Sequence, residues 1–234
     1  QALHGGATFI QLRAKEADAS ELTDMARDIA QIIEDNEKSD SVAFVIDDRA
    51  DVVWQARRKG IKVDGVHIGQ TDMEPREARA LLGDEAIVGL SAETESLVRL
   101  INELPDGCID YIGAGPLHVS TTKPEASVGG NDGSGKTLDA AQINTICVAS
   151  EFPVVVGGGV TDMAMLADTK AAGWFVVSAI AGAENPEEAA RTMVEGWKAV
   201  RGDKKHGYAP RVVTHTPATD TQAAQEGAAK PGSE

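Results

Sequence analysis

The 234-residue chain is short of cysteine, of basic residues and of long apolar runs, and each shortage excludes a class of protein. Its two cysteines, Cys108 and Cys147, lie far apart in apolar segments and lack the spacing of a metal site. They read as buried thiols of a cytosolic protein, not as a disulfide framework. Lysine and arginine number 22 against 37 aspartates and glutamates, a formal net charge of −15. A field of that sign repels nucleic acid and anionic membranes, so neither is expected as a partner, and any anionic ligand must be held by a local site. No apolar run approaches the roughly 18 residues that a membrane span needs, and the first residues lack the basic stretch and apolar core of a secretory signal. A cytoplasmic location is the expectation. A convincing catalytic histidine or cysteine is also missing: His67 sits inside the apolar run GVHIG as a core or supporting residue, and His118 reads as exposed and without a role.

What is present is a repeating alternation. Short β-rich apolar runs, TFIQLR (8 to 13), AFVIDD (43 to 48), GVHIG (65 to 69), AIVGLSA (86 to 92), DYIGAGP (110 to 116), PVVVGG (153 to 158) and WFVVSAI (174 to 180), are separated by stretches of helical length near 20–37, 49–59, 74–82, 93–104, 137–149, 161–172 and 185–201. That pattern predicts an α/β fold with a parallel sheet covered by helices. Seven β-α units without a change of pattern suggest a (β/α)8 TIM barrel whose first strand is absent from this sequence, although a doubly wound sheet has the same periodicity. The chain starts without methionine at what reads as a helix end, as a fragment of a longer protein would. After residue 202 the composition turns to Thr, Ala, Gly, Pro and Gln, so the expected division is a barrel domain over 1–202 and a disordered tail or interdomain linker over 203–234.

In barrels of this kind the chemistry sits at the carboxyl ends of the strands. The first run ends in QLRAK, and period-2 alternation sets Gln11, Arg13 and Lys15 on one side, a set suited to a phosphate or diphosphate. A surface salt bridge for Arg13 and a solvated Lys15 would explain the same residues. The second run delivers Asp47 and Asp48, and the third leads through GVHIGQTD to Asp72. Carboxylates beside basic groups suit Mg2+, which takes one or two of them together with phosphate oxygens; taken alone, capping of the following helices by Asp48 or Asp72 is the better explanation. Ser91 closes VGLSA, where it can cap a helix or bond an anion. Three glycines in VVVGGGVT and Ser178 at the end of FVVSAI occupy the positions where barrels hold phosphate after their last two strands. The loop YIGAGPLHVSTTKPEASVGG adds hydroxyls and a lysine at a further strand end.

Taken in order, GGATFIQLRAK, VIDDRAD, GVHIGQTD, VGLSA, DYIGAGP with STTK, VVVGGGVT and VVSAI resemble the thiamine phosphate synthase family over roughly residues 5 to 201. The resemblance implies a (β/α)8 enzyme that joins hydroxymethylpyrimidine diphosphate to thiazole phosphate, releasing pyrophosphate through a pyrimidine carbocation. It implies diphosphate contacts at Gln11, Arg13, Lys15, Asp47, Ser91 and Lys123, with Asp47 where the family usually has asparagine. Mg2+ would be held by Asp48 and Asp72, and the thiazole phosphate by Ser120, Thr122, Gly159, Val177 and Ser178. Arg13, Lys15, Ser91 and Lys123 would be the catalytic groups, and electrostatic stabilisation would replace a general base. The glycine-rich stretch EASVGGNDGSG would then exclude water as a lid.

Two other functions fit parts of the pattern: a thiazole tautomerase, which would need no diphosphate and metal site, and a non-catalytic ligand-binding domain of a larger thiamine-biosynthesis protein. Besides its small-molecule substrates, the resemblance allows a homo-oligomer and fusion to another thiamine-biosynthesis domain.

Overall fold

A computed structural model of the chain describes residues 1–118 and 137–202. Seven parallel strands form one sheet: β1 (Phe9–Leu12), β2 (Ala43–Asp47), β3 (Gly65–Ile68), β4 (Ile87–Ser91), β5 (Tyr111–Ala114), β6 (Val154–Val156) and β7 (Gly173–Trp174). They are hydrogen-bonded in strictly sequential order from β1 to β7. A doubly wound sheet reverses its strand order at a switch point, so this sequence of neighbours excludes it and gives a TIM-like wall.

Helices α1 (Ala19–Asp35), α2 (Ala50–Arg58), α3 (Pro75–Leu82), α4 (Glu95–Ile101), α5 (Ala140–Ala149), α6 (Ser178–Ala181) and α7 (Pro186–Arg201) connect or follow the strands. Their boundaries are set by local chemistry. Asp18 accepts from the amides of Ser20 and Glu21 while Glu21 reaches back to the Asp18 amide, a capping box at the start of α1. Asp139 and Gln142 repeat that box on α5, and Asn185 with Pro186 opens α7.

Alternation along the strands sorts the core into two layers. Phe44 and Ile46 belong to the large cluster between sheet and helices, with Leu22, Ile33, Val53, Ile112 and Ile143. Ala43 and Val45 face the other way, into a small cluster with Ile87 and Tyr111, against which Phe9 and Val155 pack. The second cluster fills the concave side towards the N-terminal end of the sheet; the C-terminal end of that side is left to polar residues.

Two expected elements differ. The helix foreseen over 161–172 is a single 3-10 turn, Met163–Leu166. The chain beyond it is drawn out of helical hydrogen bonding: Asn144 bonds both the Asp168 carbonyl and the Lys170 amide, and the Thr169 hydroxyl bonds the Leu166 carbonyl. The last strand stops at Trp174 instead of running to residue 180, and Ser178–Ala181 is helical. Among the described residues β7 pairs with β6 alone, and the amides of Ile180 and Ala181 donate to the Val177 carbonyl instead. Of the two free thiols, Cys108 is buried but Cys147 is only partly so. No helix among the described residues is long and apolar enough to cross a membrane.

Candidate active site

At the carboxyl ends of β1 and β2, a cavity of about 310 Å3 is lined by Ala14, Lys15, Glu16, Asp47, Asp48 and Arg49. Of these, Asp47 belongs to a charged cluster. Asp47, 5% exposed, accepts from Gln11 Nε2 at 2.8 Å on one oxygen and lies 3.0 Å from Arg13 Nε on the other. Gln11 and Arg13 therefore share the side that their alternation predicted, held there by an acid from the next strand. The negative charge of Asp47 is matched by the guanidinium of Arg13, so it does not enter the cavity uncompensated. Lys15 is exposed at the rim. Arg49 also borders the cavity, but its fork is engaged by Asp51 at 2.8 and 2.7 Å, and this bond holds the Asp51 carboxyl below its ordinary value.

Asp48 has left-handed backbone, φ 66°, at the first position after β2. A residue with a Cβ is disfavoured there by about 1 kcal/mol relative to glycine, so the fold keeps a carboxylate where glycine would fit more easily. Asp72, in the loop after the neighbouring strand β3, accepts from the Gly69 amide at 2.6 Å, which folds that loop back over its strand end. The caps of α2 and α3 fall on Arg49 and Glu74, not on either aspartate. Asp48 and Asp72 follow adjacent strands, and two carboxylates completed by ligand oxygens are a donor set suited to Mg2+.

Deeper on the concave side runs a row that sequence reading had not assembled. Asp47, His67, Gly89 and Tyr111 are register partners across β2 to β5. The His67 ring bridges Tyr111 and Ser91, with Nδ1 2.9 Å from the phenol oxygen and Nε2 3.0 Å from the serine hydroxyl. Gln70, also unforeseen, donates to the Ser91 carbonyl at 2.5 Å. The signal for this row lay in the glycines of VGLSA and YIGAG, since glycine inside a strand marks close approach of another group.

The loop after β6 supplies the other half of the rim. Gly158 and Gly159 have φ of 79° and 78°, and a Cβ on them would fall 2.5 Å from the Pro116 Cβ and 2.7 Å from the His118 Cβ. Leu117 and His118 amides bond the Gly158 carbonyl, so this loop is laced to the one leaving β5. Val177 and Ser178 lie further round the rim, both exposed; Ser178 begins the short α6 and does not end a strand. His118 is exposed as expected. Ser120, Thr122, Lys123 and the stretch EASVGGNDGSG lie outside the described residues.

Comparison with known proteins gives the family. Residues 1–180 match the family described as thiamine monophosphate synthase. A thiamine-phosphate synthase of Corynebacterium efficiens is 36% identical over 199 residues, 84% of this chain and 86% of that protein. One from Corynebacterium jeikeium is 40% identical over 192 residues, covering 81% and 83%. Among solved structures, a thiamine phosphate pyrophosphorylase from Pyrococcus furiosus superposes with a TM-score of 0.67 at 27% identity, over 86% of this chain and 88% of that one. With the family match over most of its length and relatives of this identity, the chain belongs to the thiamine monophosphate synthase family.

Proposed function

We propose that the cavity at the ends of β1 and β2 seats the diphosphate of hydroxymethylpyrimidine diphosphate, and that the rim near Gly159 seats thiazole phosphate. The chain is a transferase that couples these two substrates to give thiamine phosphate and pyrophosphate. The observation that carries the assignment of sites is that Lys15, Asp47 and Asp48 line one cavity at the carboxyl end of a parallel wall, with Gln11 and Arg13 held on Asp47.

In this reading Gln11 and Arg13, braced by Asp47, and Lys15 at the rim bind the diphosphate, and Ser91 adds a hydroxyl. Asp48 and Asp72 hold Mg2+, which when bound offsets charge on the departing pyrophosphate. Arg13, Lys15 and Lys123 share that task as the bond to the pyrimidine methylene breaks. The thiazole nitrogen then attacks the carbocation, and no protein base is required because the step transfers no proton. Ser120, Thr122, Gly159, Val177 and Ser178 hold the thiazole phosphate so that its nitrogen faces the methylene carbon. The names of the relatives favour this synthase over the tautomerase and over a non-catalytic domain.

The same proposal includes a (β/α)8 barrel closed by one more strand between β7 and β1, the two edges of the described sheet. It keeps the barrel unit at 1–202, supported by α7 ending at Arg201, with 203–234 as tail or linker. Incubation with both substrates and Mg2+ should yield thiamine phosphate and pyrophosphate in equal amounts. Release of pyrophosphate without thiamine phosphate, or no turnover, would overturn the assignment.

A further inference from the structure

We infer that His67 is a positioning residue for the diphosphate substrate: fixed by Tyr111 on one ring nitrogen, it donates from the other to the Ser91 hydroxyl and turns the serine proton outward. The inference rests on the assignment of Ser91 to the diphosphate.

The ring is housed by deliberate loss of side chains around it. His67 is 8% exposed. A Cβ on Gly89 would lie 2.5 Å from His67 Nδ1 and 2.3 Å from Tyr111 Cζ, and one on Gly113 would lie 2.9 Å from His67 Cε1. Glycine inside a strand weakens it, so two neighbouring strands give up packing to admit one imidazole. The rings of His67 and Tyr111 stack at 5.4 Å between centroids, which fixes the plane of the imidazole as well as its position. An apolar residue would fill such a space without needing partners, whereas a buried imidazole needs both nitrogens satisfied.

The order of the chain follows from donor and acceptor chemistry. A phenol is a good donor and a poor acceptor, because its lone pair is shared with the ring, and the unprotonated nitrogen of an imidazole is a strong acceptor. Tyr111 therefore donates to Nδ1, and the ring carries its proton on Nε2. The Ser91 oxygen must accept that proton's bond, which leaves the serine's single proton for another acceptor. The reverse order would spend the serine proton on the ring and point lone pairs at an anion. Gln70 fixes the Ser91 backbone through its carbonyl, so the hydroxyl is aimed from both sides.

The test is a set of steady-state measurements on Tyr111→Phe, His67→Ala, His67→Gln and Ser91→Ala, alone and combined. Tyr111→Phe should lower kcat/KM for the pyrimidine diphosphate about fivefold and His67→Ala about twentyfold, with the KM for thiazole phosphate within about twofold. His67→Gln, whose amide N–H reaches the place of Nε2, should recover most of the loss. In the Ser91→Ala background, neither Tyr111→Phe nor His67→Gln should cause a further loss. Losses that multiply in that background, or that affect both substrates equally, would overturn the inference. Tyr111→Phe removes a single oxygen, so it keeps the test open should His67→Ala fail to fold. Calorimetric titration with inorganic pyrophosphate and Mg2+ supplies a readout independent of turnover: Ser91→Ala and Tyr111→Phe should each weaken binding about fivefold, and the pair no more than either. Dependence of that kind in a protein that makes no thiamine phosphate would overturn the synthase reading and uphold the inference; independent losses in an active synthase would do the opposite.

Discussion

At the N-terminal rim of the wall, Asp64 and Asp110 stand just before β3 and β5; at the C-terminal rim, Asp47, Asp48 and Asp72 stand at or after the ends of β2 and β3. The lower pair repeats one device. Asp64 accepts from the Phe44 amide at 2.7 Å and from Lys62 Nζ at 2.5 Å, while its own amide donates to the Phe44 carbonyl. Asp110 does the same to Val88, with Arg79 Nη2 at 2.8 Å as the cation. Each side chain thus ties the start of one strand to the strand before it, and its charge is matched by a cation, Lys62 just before β3 and Arg79 on α3. Of the upper aspartates, Asp47 and Asp48 line a cavity, and Asp48 has left-handed backbone. Residues of one type thus brace the wall at its lower rim and, as Asp47 and Asp48, line a cavity at its upper rim.

Removing a lower carboxylate should produce the largest effect. Asp64 is fully buried, and Asp64→Ala leaves Lys62 and the partly buried Arg57 without their counter-charge. Breaking a buried pair by removing one partner costs roughly 3 to 5 kcal/mol. Urea unfolding should register that loss, while KM for both substrates stays within about twofold in the folded fraction. A loss below about 1 kcal/mol would mean that the lower rim does not hold the wall through its acids.

Asp48→Gly should separate the two rims in the opposite sense. The left-handed backbone is relieved, so unfolding stability should hold or rise by up to about 1 kcal/mol. Activity should fall about 100-fold in kcat/KM, equivalent to about 2.7 kcal/mol of transition-state stabilisation, and part of it should return at high Mg2+. If stability and activity fell together, the strained aspartate would be part of the wall and not of the site.

Much of this contrast was legible in the sequence, and the part that was not has a physical cause. The strands could be read because their apolar runs are bounded by glycine, proline and acids, and sequential β-α alternation dictated the parallel order. The division between Phe44 and Ile46 on one face and Ala43 and Val45 on the other needed only period 2. The helix over 161–172 was misread because hydrogen bonds from Asn144 and Arg201, distant in sequence, decide the backbone around Thr169. Gln11, Arg13, Lys15, Asp48 and Asp72 could be named from strand-end placement, but the pairing of Asp47 with Gln11 and Arg13 could not, since it depends on the stagger between β1 and β2. The row through His67 and Tyr111 crosses four strands, and only the space left by Gly89 and Gly113 hinted at it.

Asp47→Asn sharpens the upper half of the comparison with a smaller effect. Both oxygens of Asp47 are engaged, and asparagine preserves the shape and an acceptor while removing the charge that offsets Arg13. The freed guanidinium charge should lower KM for the pyrimidine diphosphate about threefold, most clearly at low salt. Stability should drop by about 1 kcal/mol as a part-buried ion pair becomes a contact between a charged guanidinium and a neutral amide. An unchanged or higher KM would assign Asp47 to direct support of the substrate or cation and not to bracing Arg13.

The smallest effect belongs to neither rim and tests whether the outer layer has a pH response of its own. Cys147 on α5 is partly buried beside Arg201 and Lys170, and burial raises its thiol from an ordinary value of 9.0 to about 11 despite those cations. A raised value means that the folded protein keeps a proton the unfolded chain has released. The corresponding stability is present below pH 9 and is lost as pH rises towards 11. Wild type should therefore lose more unfolding free energy than Cys147→Ala between those limits, by about 1 kcal/mol after allowance for partial exposure. The comparison cancels the lysines and tyrosines that titrate in the same window. Equal losses in the two proteins would place the alkaline sensitivity on groups other than Cys147.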